Sequence, residues 1–430
     1  MKVLGIDLGT TGICAVVLDA ETGGVVKSTT VNSDAFISTC NAWEKIQDVS
    51  KIISVSLGML DSLLGDFEGE IIAIGLTGQM HGILYVDKDG KAVSPLYTWQ
   101  DGRGNLPYKD TTYAAYLGSF SGYGNVTDFY NRENGLVPAD AVTYCTVHDY
   151  LGMVLCNNKK PILHSSDAAS LGLYNPETKS FDYDYAERVT DGFEIIGKYR
   201  EIPVSVAIGD NQASVFATLA DENSLLINVG TGSQISIVSD HPISAENVES
   251  RPYFDGKYLV VGAALCGGRA YSLLREFYKQ LIWAVSDADV DVYAVMDRLL
   301  KEKEETTLKV DTRFAGTRSN PNIRGSITNL SVENFTPSDL TAGVLCGMID
   351  ELYGMYLAMG EKRVGIIGSG NGLRKNKALV HKAEKSFGGK LRVPIYTEEA
   401  ACGAALFALV ACGKYRRVSE VQGLIKYAEG

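Results

Sequence analysis

Disulfide and metal-cluster signatures are missing from this chain. Its eight cysteines, Cys14, Cys40, Cys145, Cys156, Cys266, Cys346, Cys402 and Cys412, stand singly without a CxxC pair, and its five histidines form no cluster at metal-ligand spacing. That excludes a disulfide scaffold and a zinc-type centre, and leaves most of the cysteines as expected buried, reduced thiols. No uninterrupted apolar run of about 18 residues is available to span a bilayer, and no basic, cleavable leader opens the chain. A cytoplasmic protein is expected. Basic charge is not in excess either. The 40 Lys and Arg stand against 52 Asp and Glu, for a net charge of -12, which argues against nucleic acid or an anionic membrane as partner. Two common phosphate-binding signatures are also absent. There is no GxxxxGK[ST], and Gly368-Ser369-Gly370 matches only the first half of a GxGxxG.

What is present is length, and an echo. At 430 residues a prior of roughly 100–200 residues per domain predicts two or three domains. Residues 3–7 read as a short apolar strand ending in Asp7, and Ile13–Asp19 as a second, with Asp7-Leu8-Gly9-Thr10-Thr11-Gly12 between them. The pattern restarts after residue 220. Ser224–Asn228 reads as a strand, Asn228-Val229-Gly230-Thr231-Gly232-Ser233 as its turn and Gln234–Val238 as the return. Two such hairpins half a chain apart are what two similar lobes would produce.

Glycine in a strand-to-strand turn lets backbone N–H groups converge on an anion, and threonine adds hydroxyl donors, so both turns suit phosphoryl oxygens. Between them the spacing predicts a helix within 41–64, a buried strand over 70–76, a helix over about 140–155, and a small-residue helical segment over 213–220 as the crossing between lobes. Later segments read as a helix from Thr336-Pro337 to Met359, a strand over 363–367, a helix over 375–387, a strand over 391–395 and an Ala/Gly-crowded helix over 398–412 placed in the second half.

Candidate chemistry sits at strand ends. Asp7 precedes the first Gly-Thr turn, and Asp210 stands in Ile208-Gly209-Asp210-Asn211-Gln212. Transfer of a phosphoryl group to an alcohol needs positioning, charge neutralisation by Mg²⁺ and a carboxylate that accepts the hydroxyl proton, and two separated carboxylates divide that work. The residue pattern alone leaves each aspartate open between this role and a side-chain cap. His81, in Met80-His81-Gly82 after a buried strand, stands where ligands bind in open α/β structures, or is structural. Trp99-Gln100-Asp101-Gly102-Arg103 offers a ring, an amide, a carboxylate and a guanidinium, an inventory suited to a polyol or to a salt-bridged surface loop.

With the segments GIDLGTTG, LTGQMHG, TWQDGR, VHDYL, AIGDNQASVFA, INVGTGSQIS, GSGNGLRKN and AACGAALFAL, the chain resembles the FGGY carbohydrate kinases of the sugar kinase, Hsp70 and actin superfamily. The resemblance implies an α/β fold of two RNase H-like lobes with an interlobe cleft, a sugar-binding lobe over 1–215 and a nucleotide-binding lobe over 216–430. It implies ATP and Mg²⁺ as cofactors, Asp210 as catalytic base and Asp7 as the carboxylate holding Mg²⁺, usually through water. It matches Thr10, Thr11, Gly230 and Thr231 to phosphate contacts, and Gly370, Asn371 and Asn376 to the nucleoside turn. Gln79, Met80, His81, Trp99, Asp101 and Asn211 match substrate contacts.

The TWQDGR segment, together with Thr146–Tyr150, Asp167–Ser170 and Pro252–Phe254, is closest to the members that phosphorylate sedoheptulose. The expected reaction is therefore transfer from ATP to the terminal hydroxyl of a ketose, sedoheptulose first, with xylulose or another pentulose or polyol as the alternative. A monomer or homodimer is expected. An actin- or Hsp70-like ATPase without transfer is the competing class. It would have no need of the Met80-His81 and Trp99–Arg103 lining. A sugar-binding regulator without transfer would not need an intact Asp210.

Overall fold

The computed structural model describes all residues except 304, 319, 321, 429 and 430. It divides into two compact units that interleave in sequence. The first gathers Met1–Ala220, Pro252–Lys257 and Tyr396–Lys426, and the second Asp221–Arg251 and Tyr258–Ile395. The division thus departs from the continuous halves 1–215 and 216–430, because the segment from Tyr396 to Lys426 packs with the first unit.

In the first unit a seven-stranded sheet is ordered Ile195–Tyr199, Ile202–Ser205, Ile71–Gly78, Lys2–Leu8, Gly12–Asp19 and Val25–Asn32, with Ile208–Gly209 also paired to Ile71–Gly78. Lys2–Leu8 runs antiparallel to Gly12–Asp19 and parallel to Ile71–Gly78. Both faces of these central strands are covered, so Val3, Leu4, Ile6, Ile74 and Leu76 are fully buried, as their unbroken apolar runs require.

The helix Val49–Asp66 lays Ile52, Leu60, Leu63 and Leu64 against this core. It begins later than the spacing predicts, because Asp48 caps it by accepting the Lys51 N–H and Ile46–Gln47 forms a strand with Leu96–Tyr97. The expected helix over 140–155 is likewise a strand, Ala141–Cys145, followed by a helix, Val147–Cys156. The break falls at Thr146, whose hydroxyl accepts the Asp149 N–H as an N-cap.

The Ala-rich helix Glu399–Ala411 lies on the first unit's sheet. Its backbone comes so close that a Cβ on Gly5 would stand 2.0 Å from the Ala401 carbonyl oxygen, and one on Gly75 1.9 Å from that of Ala404. Only glycine fits at either strand position. The helix also crosses Asp210–Thr218 with Gly403 against the Ala213 carbonyl, so the segment expected to cross between lobes is a buried helix of this unit.

The second unit repeats the plan with six strands, ordered Val248–Pro252, Tyr258–Ala264, Ser233–Ser239, Ser224–Val229, Gly365–Ser369 and Leu391–Arg392. Ser224–Val229 is antiparallel to Ser233–Ser239 and parallel to Gly365–Ser369, the same relations as the opening strand of the first unit. The long helix Pro337–Met359 starts at Thr336, which caps Asp339 N–H, with proline at its first position, and stops at Gly360 in the left-handed region. Its Ile349 and Leu352 are fully buried in this unit's core.

Candidate active site

The backbone of the first unit sets three carboxylates at one end of its sheet. Asp7 is the penultimate residue of the opening strand, paired to Cys14 on one side and Thr77 on the other. Its Oδ1 is buried without a hydrogen-bond partner. Burial first, then the charges of Asp210 and Glu398, push its carboxyl up from 3.8 to about 8.

Asp210 opens the helix Asp210–Thr218 directly after Ile208–Gly209, which pair with Thr77–Gly78. Two side chains fix that junction. Thr77 Oγ1 donates to the Ile208 carbonyl at 2.7 Å, and the Gly209 N–H donates to Ser166 Oγ at 3.0 Å. A carboxylate in a helix's first turn is favoured by the N-terminal backbone dipoles. Glu398, just ahead of the Ala-rich helix, joins the group and was missed from the sequence; its only local signal was an acidic residue preceding a helix start.

The expected substrate contacts fall into two groups. Met80 is buried, and the end of its side chain lies beside Gly209, 2.7 Å from where a Cβ there would stand, next to the junction that precedes Asp210. Asn211 follows Asp210 in the same first helical turn. His81 takes a left-handed backbone, φ 74°, stacks on Tyr123 with ring centroids 4.3 Å apart, and places Nδ1 2.8 Å from the Ser170 carbonyl. A carbonyl only accepts, so Nδ1 carries the proton, and in the neutral ring Nε2 presents a lone pair.

Gln79, Trp99 and Asp101 are engaged with protein. Asp101 is 1% exposed and receives Arg103 Nε at 2.7 Å and the Lys45 N–H at 2.9 Å. Arg103 in turn lies 4.2 Å over the Tyr97 ring, so Asp101 is the anchor of a buried ion pair. Trp99 is exposed, but its Nε1 donates to Thr10 Oγ1 at 2.9 Å. Gln79 is buried and donates to Gln47 at 2.9 Å. Gln47, an isolated polar residue in an extended segment, was not legible from the sequence. Thr11 is exposed at the hairpin tip, its carbonyl accepting from the Ser33 N–H.

The second unit contains a cavity of about 1010 Å³ lined by Gly230, Thr231, Gly370, Asn371 and Asn376, which brings five expected cofactor contacts into one place. Arg269, Tyr271, Tyr293, Asp297 and Lys375 complete much of its wall. The Gly230–Gly232 turn is tied to the start of the helix Gly268–Trp283, the Gly268 and Arg269 N–H groups donating to the Gly230 and Thr231 carbonyls. Gly370 has φ 83°, and a Cβ there would lie 2.5 Å from the Val229 carbonyl. Asn376 Oδ1 caps the helix Lys377–Phe387 through the Leu379 N–H, so the helix starts two residues later than the spacing predicts. At the strand position matching Asp7 this unit has Asn228, whose amide donates to Ser369 Oγ at 2.6 Å.

A second buried polar group, His148, Asp149 and Asp167, lies in the first unit. His148 Nε2 is 2.9 Å from Asp167 Oδ1. Burial lowers the imidazole, and burial raises both carboxyls, Asp149 to about 7 with Asp167 the next cause and Asp167 well above its usual range with Asp210 the next cause. Within the trio only His148 and Asp167 are bonded to each other; Asp149 accepts from Thr146 Oγ1 at 2.7 Å, and His148 Nδ1, Asp149 Oδ1 and Asp167 Oδ2 are buried without a partner. For a carboxyl whose folded pKa exceeds its unfolded one, the stability it contributes is full below the unfolded value and lost as pH rises through the folded one. Asp149→Asn is accordingly expected to gain stability relative to the parent between pH 4 and pH 7, by roughly 1 kcal/mol or more. Urea melts of both proteins at pH 5 and pH 8 check this; a constant difference would mean that Asp149 is ionised in the fold.

Phosphoryl transfer asks for anion cradles, charge neutralisation and a base for the accepting hydroxyl; the first unit carries a group of carboxylates and the second a glycine-lined cavity, the kind of residues a small-molecule kinase uses. The chain belongs to the FGGY family of carbohydrate kinases. The family's N-terminal domain matches residues 2–108 and its C-terminal domain residues 225–412, more than half of the sequence. It is therefore a phosphotransferase with a sugar-type alcohol as acceptor.

Among relatives it is 28% identical to the sedoheptulokinase of Mus musculus, over 89% of this chain and 92% of that protein, and 23% identical to the gluconokinase of Bacillus subtilis, over 98% and 90%. The fold matches the xylulose kinase of Rhodospirillum rubrum, with a TM-score of 0.84, 18% identity and coverage of 100% of this chain and 93% of that one. It matches the Plasmodium falciparum glycerol kinase with ADP at a TM-score of 0.82 and 18% identity, over 98% and 92%. The expected fold class, two RNase H-like units of the actin and Hsp70 type, is the one observed. No helix among the described residues is long and apolar enough to cross a membrane.

Proposed function

We propose that the chain transfers the γ-phosphoryl group of ATP to the terminal hydroxyl of a ketose, sedoheptulose before xylulose. The observation that carries the reading is Asp210, which opens its helix directly after the Ile208–Gly209 junction held by Thr77 and Ser166, with the buried Met80 beside Gly209. Asp210 takes the proton of the attacking hydroxyl while Met80 walls the site against water. His81 Nε2, with its tautomer set by Ser170, accepts a hydrogen bond from a sugar hydroxyl, and Asn211 adds amide donors and an acceptor. Thr10 and Thr11 contact phosphoryl oxygens.

The second unit's cavity holds the nucleotide, Gly230 and Thr231 at its phosphates and the turn at Gly370 and Asn371, with Asn376, at its nucleoside. The near-parallel Tyr271 and Tyr293 rings, centroids 6.0 Å apart, give that cavity aromatic surface.

A divalent cation fits the carboxylate group. Asp7 offers a buried oxygen with no partner, its carboxyl is pushed up to about 8 by burial first and then by the charges of Asp210 and Glu398, which a cation would offset, and an all-oxygen donor set suits Mg²⁺. Asp7 would hold it through water, with Glu398 and Asp210 adding negative charge, and the ion would neutralise the transferring phosphate. The higher identity to a sedoheptulokinase than to the xylulose kinases, 28% against 21–23%, supports the seven-carbon substrate. A coupled ADP-release assay with Mg-ATP and sedoheptulose, xylulose, ribulose, gluconate or glycerol tests the reading, the highest kcat/KM being expected for sedoheptulose. A preference for another acceptor would displace the substrate, and ADP release indifferent to every sugar would displace the transfer itself.

A further inference from the structure

Thr10, at the tip of the first hairpin, is held by a closed ring of side chains. Gln47 is fully buried, and its Nε2 donates to the Thr10 carbonyl at 2.6 Å. Its Oε1 accepts from Gln79 Nε2 at 2.9 Å. Gln79 Oε1 then lies 3.5 Å from Thr10 Oγ1, within reach of the hydroxyl proton. The amide orientations follow from the partners. Turning Gln47 over would set its oxygen against the Thr10 carbonyl and its nitrogen against the Gln79 amide nitrogen, a pair of repulsions in place of two bonds.

Outside the ring, Trp99 Nε1 donates to the same Thr10 hydroxyl at 2.9 Å. Thr10 Oγ1 thus has one lone pair filled by an indole N–H and its single proton directed along the longest contact of the set. A threonine hydroxyl in a phosphate-binding turn is useful when that proton can be given to a phosphoryl oxygen. Here the short bonds hold the residue in place, and the long one is the bond a phosphate would replace.

The elements that supply the ring are distant in sequence. Gln47 closes the strand Ile46–Gln47, which pairs with Leu96–Tyr97, two residues before Trp99. Gln79 follows the strand Ile71–Gly78, which is paired along the whole opening strand to Leu8. The loop that carries Trp99 and the strand end that carries Gln79, Met80 and His81 therefore both terminate on Thr10. Resting on the reading of a ketose kinase given above, we propose that Gln47 and Trp99 are positioning residues that present Thr10 to the nucleotide's phosphates.

The test uses the full-length protein and two substitutions. Trp99→Phe keeps an aromatic ring at an exposed position while removing the indole N–H together with part of the ring, so folding is preserved. Gln47→Glu keeps the acceptor for Gln79 and sets an oxygen against the Thr10 carbonyl. Steady-state KM for Mg-ATP, measured at saturating sedoheptulose, is expected to rise about three- to tenfold in Trp99→Phe. Gln47→Glu is expected to raise KM for Mg-ATP with less effect on KM for the sugar. A Trp99→Phe enzyme in which only the sugar KM rises, or variants with lowered Tm and parental KM for ATP, would overturn the proposal. Calorimetric titration with Mg-ADP keeps the two readings apart. If the parent phosphorylates no ketose, the functional reading fails. Weaker ADP binding by the variants would still support the positioning role, and equal binding would overturn it.

Discussion

Asp210→Ala is expected to lower kcat by about a hundredfold to ten-thousandfold, the range for loss of a positioned general base, while the Kd for Mg-ATP stays within about twofold. The split follows from where the residue sits. Asp210 belongs to the first unit, whereas the glycine-lined cavity at Gly230, Thr231 and Gly370 is built wholly within the second. Stability is not expected to fall with activity. The charge of Asp210 raises the carboxyl of Asp7 and that of Asp167, so its removal relieves repulsion at both, and the junction it leaves is still held by Thr77 and Ser166. Asp210→Asn, which keeps the shape and the helix start, is expected to lose as much turnover as the alanine variant. Stopped-flow turnover with Mg-ATP titration and a thermal melt on each variant separate these effects. A loss of kcat below about tenfold would move the base elsewhere in the site.

The parts of this site that were legible in the sequence are those whose chemistry is local. A Gly-Thr turn between two short apolar runs announces itself twice, and the structure gives both hairpins the same neighbours, one antiparallel strand and one parallel. Long-range partners leave no such trace. The Ala-rich helix Glu399–Ala411 follows the second unit's strands in sequence, and order along the chain assigns it to that unit. It belongs to the first unit because Gly5 and Gly75 clear space for its backbone, a complementarity between residues more than three hundred positions apart. Glu398 was overlooked for the same reason. The loop at Trp99 reads as a lining for a polyol or a salt-bridged surface loop, and Asp101 is taken up by Arg103, in a buried rather than a surface ion pair. That pairing over two residues is visible in the sequence only as alternating charge. Gln47 had no pattern at all, since its partners Thr10 and Gln79 come from two other segments.

That packing of helix on strand carries the second large effect. Gly75→Ala is expected to destabilise the protein by about 2–4 kcal/mol, at the upper end for overpacking, with Gly5→Ala close behind. The magnitude rests on what the added methyl would meet. The Cβ would lie 1.9 Å from the Ala404 carbonyl oxygen at Gly75 and 2.0 Å from that of Ala401 at Gly5. Both obstacles are backbone, so no side chain can step aside and the helix itself must lift. Lifting it drags on Gly403, which abuts the Ala213 carbonyl within the helix that Asp210 opens, and on Glu398 at its leading end. Turnover is therefore expected to fall in the folded variant as well, through displaced carboxylates. Gly58→Ala supplies the control. It lies inside the helix Val49–Asp66, a Cβ there meets nothing within 4 Å, and the exchange is expected to stabilise by about 0.5–1 kcal/mol. Urea unfolding of the three variants measures all of this on one scale. A Gly75→Ala protein within about 0.5 kcal/mol of the parent, the range of an ordinary surface exchange, would mean that the helix does not seat on that strand.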